Sequence, residues 1–136
     1  MIAMRLVAAI FVAMHGLGHI IWFFSTWMQR ALGKEGRAQL ETRRHSFLVS
    51  LRGPIGRTMG ILSLLVIVGF MLTAWGIWIE TTWWPPLLFV SAATSMVVVV
   101  SMWNPIFRLS VRAILANAAL IAATLVPWGE QILGAH

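Results

Sequence analysis

Four long apolar stretches dominate the chain, separated by short polar breaks and one longer polar segment. They run from about Leu6 to Trp27, Met59 to Ile79, Trp84 to Trp103 and Leu109 to Trp128. Each approaches the roughly 20 residues that a helix needs to cross a hydrocarbon core. None shows the strict alternation of a strand, and their length favours helices. The pattern predicts an all-α, integral membrane, up-down four-helix transmembrane bundle forming a single domain over residues 1–136. Short connections, "ETTWWPPL" and "WNPIF", force antiparallel neighbours. Pro85 and Pro86 are tolerated in a first helical turn, where the amides lack intrahelical partners.

The first stretch begins like a signal peptide, with Arg5 and an apolar run. Its hydrophobicity continues past Phe24 with no small-residue cleavage site, so it reads as a retained span. Between the first two spans, Leu40, Phe47, Leu48 and Leu51 fall near one helical face. That spacing predicts an amphipathic interfacial helix in the first loop, ended by Gly53, Pro54 and Gly56. Small residues mark expected helix contacts: Ala9 and Ala13, Gly69 and Thr73, Ser91 and Ser95, and the face of Ala116, Ala119, Ala122 and Ala123.

Composition strengthens the membrane reading. The 136 residues are 60% hydrophobic and 10% charged, which leaves too little charge for a normal soluble surface. Arg30, Lys34, Arg37, Arg43, Arg44, Arg52 and Arg57 lie between the first two spans, and Arg108 and Arg112 follow the third. Nine of the ten basic residues thus fall on one side of the expected bundle. The positive-inside rule makes that side cytoplasmic, in a multi-pass protein of the cell membrane with both termini outside. Tryptophans fit the same depths, with Trp75, Trp78, Trp83, Trp84 and Trp128 at the outer ends and Trp27 and Trp103 at the inner ones. Trp22 falls deeper than either belt. Arg5 stands alone at the outer end, where it would snorkel to the headgroups. The net charge of +6 is a topology signal directed at anionic lipid, and the expected partners do not include nucleic acid.

Candidate chemistry centres on "AMHGLGHIIW". His15 and His19 are four residues apart on one helix face, roughly 18 Å and 12 Å above the inner boundary marked by Trp27. Asn117, Thr94 and Ser95 come to similar depths on the fourth and third spans, so the five residues form the candidate ligand site or polar cluster. No Asp, Glu or Cys lies in any span, which weakens a closed transition-metal site. Two histidines on one face cannot clamp one haem, so a bis-His haem would need a second chain. The segment "HGLGH" resembles a feature of small uncharacterised four-span bacterial membrane proteins, and that likeness covers mainly the first span. In size the chain resembles the small multidrug resistance exporters. Those use a glutamate in the first span, where this chain has histidines.

With no thiol, no nucleotide loop and no acid–base pair, the expected function is a non-catalytic accessory or structural subunit of a larger membrane assembly. Lipid and a partner subunit or second copy are its expected companions, and no cofactor is expected. The alternatives are a haem, metal or quinone site at His15 and His19, or a small proton-coupled transporter.

Overall fold

The structure is a computed structural model that describes residues 2–27, 54–101 and 107–125. All regular structure among those residues is helical: α1 (Ile2–Leu17), α2 (Ile20–Trp27), α3 (Pro54–Trp78), α4 (Trp84–Ser101) and α5 (Phe107–Leu125). α1 and α2 are one rod broken at Gly18 and His19, so the five segments make four rods. Three stretches are long and apolar enough to cross a membrane: Ile2–Phe24, Pro54–Trp78 and Trp84–Ser101. Ser110–Leu125 is a shorter apolar helix. The expected amphipathic helix between the first two rods lies outside the described residues.

α3 starts earlier than hydropathy predicts. Pro54 opens the helix, as its fixed φ and missing N–H favour at a first helical position. At its other end Glu80 adopts φ 59°, and Thr81 N donates to Gly76 O at 3.1 Å while Ile79 N donates to Trp75 O at 3.0 Å. This is the left-handed helix end usually built with glycine. Glu80 occupies it while its carboxylate pairs with Arg5 of α1. The ion pair corrects the expectation that Arg5 reaches outward alone.

Side-chain seats fix the direction of packing. Gly16 of α1 lies against Phe70, Gly60 of α3 against Thr26 and Trp27, Gly69 against Ser91, and Gly76 against Trp84. Along each pair one number rises as the other falls, so α1/α2 and α4 both run antiparallel to α3. α4 is 18 residues long, about 27 Å. The five residues 102–106 reach at most about 21 Å across their six links, so α5 cannot run parallel to α4 and must fold back.

Val12, Val66, Phe70, Ile77, Trp84, Leu88 and Ala92 form the buried core. Trp84 belongs here and not to an interfacial belt: it is 1% exposed, its Cβ stands against Gly76, and its Nε1 is buried without a hydrogen-bond partner. Trp75, Trp78 and Trp83 are exposed as expected of belt residues, and Trp22 is half-buried. Ala9, Gly69, Thr73, Ser91 and Ser95 are buried at helix contacts. The alanine face of α5 behaves differently: Ala116 and Ala123 are half-buried, but Ala119 and Ala122 are exposed. Asn117 and Leu120 take the inward positions on that helix, which turns Ala119 and Ala122 away from the neighbouring helices.

Candidate functional site

The site grows from the break in the first rod. At Gly18 and His19 the α-helical ladder tightens: His19 N donates to Gly16 O at 3.0 Å, and Trp22 N donates to His19 O at 3.0 Å, both three residues back. An unbroken helix would use His19 N to satisfy His15 O. Here that carbonyl receives the Nδ1–H of His19 at 3.3 Å instead. The side chain of His19 thus replaces the backbone donor that its own main chain withdrew.

From that point three further bonds complete a circuit. His15 Nε2 lies 2.8 Å from Asn117 Oδ1, Asn117 Nδ2 donates to Ser95 Oγ at 2.7 Å, and Ser95 Oγ lies 2.7 Å from His19 Nε2. The carbonyl of His15 only accepts, so His19 Nδ1 carries a hydrogen and its Nε2 is the acceptor in the neutral ring. Ser95 therefore donates to His19, Asn117 donates to Ser95, and His15 donates from Nε2 to Asn117. All four bonds point the same way round. Such one-directional rings polarise each member in the same sense.

Burial makes the circuit consequential. Asn117 and Ser95 are 0% exposed and His19 is 3% exposed, whereas His15 is half-buried at the edge. Phe70 of α3 stands beside both imidazoles, with ring centroids 5.1 Å from His15 and 6.2 Å from His19. The histidines meet each other at 5.6 Å and 71°, and Phe11 stacks on His15 at 6.3 Å and 15°. Every helical rod contributes: α1 and the break supply the histidines, α3 supplies Phe70, α4 Ser95 and α5 Asn117.

Of the five residues singled out by depth, the structure brings four together. Thr94 stays apart and donates to Val90 O of its own helix at 2.8 Å. Ser63, somewhat nearer the start of α3, likewise bonds Met59 O at 2.9 Å. Among the basic residues, Arg57 is exposed on α3, and its carbonyl accepts from Trp27 Nε1 at 3.4 Å. Arg30, Lys34, Arg37, Arg43, Arg44 and Arg52 lie outside the described residues. Phe70 was not legible as a site residue, because α3 is apolar on all sides and periodicity cannot pick out one face.

Both histidines present Nε2 to protein groups. A metal or haem iron bound through either Nε2 would displace a bond to Asn117 or Ser95. Among the described residues, no group of three or more His, Cys, Asp or Glu side chains gathers to hold a metal ion. The geometry supports bonding between helices most directly, with His15 as the one member accessible from outside. Compared with known proteins, the chain matches no family model, no curated sequence and no solved structure.

Proposed function

We infer that the protein is a small integral membrane subunit of non-catalytic character, in which the His15–Asn117–Ser95–His19 ring fixes the packing of a four-span bundle. The observation that carries this reading is closure. The buried polar groups of the ring are used on one another, as interhelical hydrogen bonds are in a lipid environment. The exposed alanines of α5 support a place in a larger assembly, since small side chains let a neighbouring helix approach closely. Ala119→Phe with Ala122→Phe is expected to release the chain from that assembly in native gels while leaving its own thermal transition unchanged. Unaltered migration would remove the assembly from this proposal. A Soret band or a stoichiometric metal in the purified protein, lost in His15→Ala, would instead favour the ligand-binding alternative.

Orientation follows the charge. The first turn of α3, with Arg57, and the early turns of α5, with Arg112, lie at one end of the antiparallel bundle. The Arg5–Glu80 pair lies at the other. With the basic end cytoplasmic, a cysteine at Glu130 should react with an impermeant thiol reagent in intact cells, and a cysteine at Gln39 should not. The opposite labelling pattern would invert the topology.

A further inference from the structure

We propose that α5 is a conditional span: it holds its place across the bilayer because the preceding rods supply partners to Asn117, so the ring licenses insertion of the last helix. This rests on the membrane reading above and adds to it a dependence of one span on the others.

α5 is the least apolar of the four rods. Six of its 19 residues are alanine, which removes little apolar area from water, and Arg112 and Asn117 stand within it. The other three rods each hold a stretch long and apolar enough to cross a membrane. Packing on the inward side of α5 offsets little of this. Its buried residues, among those described, are Ser110, Asn117 and Leu120, and the Ser110 hydroxyl has no hydrogen-bond partner. The backbone of α5 packs on α4, and the helix reaches the first rod through the Asn117 side chain.

Polar side chains elsewhere in the bundle find partners within their own rod. Ser63, Thr73 and Thr94 each donate to a carbonyl four residues back in the same helix, and His19 donates to His15 O. Such groups enter lipid already paired. Asn117 differs, since its Oδ1 accepts from His15 of the first rod and its Nδ2 donates to Ser95 of α4. Without those rods the whole amide would stand unpaired in hydrocarbon, which strongly disfavours insertion. Chain order suits the dependence: the first rod and α4 precede α5, so His15, His19 and Ser95 are synthesised before Asn117 needs them.

The chain contains no cysteine, so single introduced cysteines report single positions. With an impermeant thiol reagent on intact cells, a cysteine at Thr82 reads the turn between α3 and α4, and one at Glu130 reads the segment that follows α5. Both should label in the parent chain. In His15→Leu, Thr82 should label as before, while the ratio of labelled to protected Glu130 sites falls about five- to thirtyfold, the shift expected from losing one interhelical bond. Adding Asn117→Leu should restore Glu130 labelling, because leucine lets α5 enter the bilayer unaided although the ring is then wholly lost. A ring that serves packing alone predicts the reverse, with the double variant no better than His15→Leu. Where proteolysis removes misinserted His15→Leu chains, the same rescue is read as restored yield. Unchanged Glu130 labelling and yield in His15→Leu, or no rescue by Asn117→Leu, would overturn the conditional span. Protection of Thr82 in the parent would overturn the membrane topology beneath it.

Discussion

Asn117→Leu should lower the stability of the bundle by about 1–3 kcal/mol, the cost of leaving a buried donor unsatisfied. Leucine has the branching and heavy-atom count of asparagine but neither accepts from His15 nor donates to Ser95, and the position is 0% exposed. Interhelical bonds in bilayers average nearer 0.6 kcal/mol, so a loss at the upper end would show that ring closure adds to the separate bonds. The double variant with His15→Leu decides the matter. Removing both partners should cost less than the two single losses combined, by about 0.5–2 kcal/mol. Simple additivity, measured by steric-trap unfolding in bilayers or by denaturant titration in micelles, would mean that the ring carries no coupling.

The second large effect is expected at Gly16. A β-carbon there would stand 2.6 Å from Cβ of Phe70, an atom fixed to its own backbone, so α1 and α3 would have to part. Gly16→Ala should therefore cost about 1–3 kcal/mol, as overpacking does in a filled core. It should also weaken the ring, since the same movement carries His15 away from Asn117. Gly18, two residues later, is exposed, and a β-carbon there meets only the carbonyls of His15, at 3.2 Å, and Met14. Gly18→Ala should fall within about 1 kcal/mol of the parent, because alanine's helix preference over glycine, itself about 1 kcal/mol, offsets a small local adjustment. Equal losses at the two glycines in thermal unfolding would contradict the close approach described for Gly16.

Much of this architecture is readable from residue order, for physical reasons that also mark where reading stops. Apolar length finds the helical segments, and counting 1.5 Å per residue from an interfacial tryptophan places Asn117 and Ser95 level with the histidines. Depth alone cannot separate Thr94 from Ser95: they differ by one residue along the axis but by about 100° around it, and rotation decides which one meets His19. The same limit applies to α5, where several alanine positions are available and Asn117 settles which side faces inward. The break at Gly18 and His19 depends on an imidazole standing in for an amide, a contact that helix propensity does not encode. Arg5 and Glu80 are 75 positions apart in the chain, so each reads as an isolated charge until the helices are antiparallel and their ends coincide.

The glycine seats also decide which motions the bundle retains. Gly60, Gly69 and Gly76 each admit a different side chain, and Gly16 receives Phe70 in the reverse sense, so α3 is held like a key with teeth at unequal intervals. Sliding a neighbour by one residue, about 1.5 Å, would set side chains against filled positions instead of gaps. Axial translation is thereby blocked on both sides of the break at Gly18 and His19, because Phe70 fills the seat at Gly16 before it and Thr26 with Trp27 fill the seat at Gly60 after it.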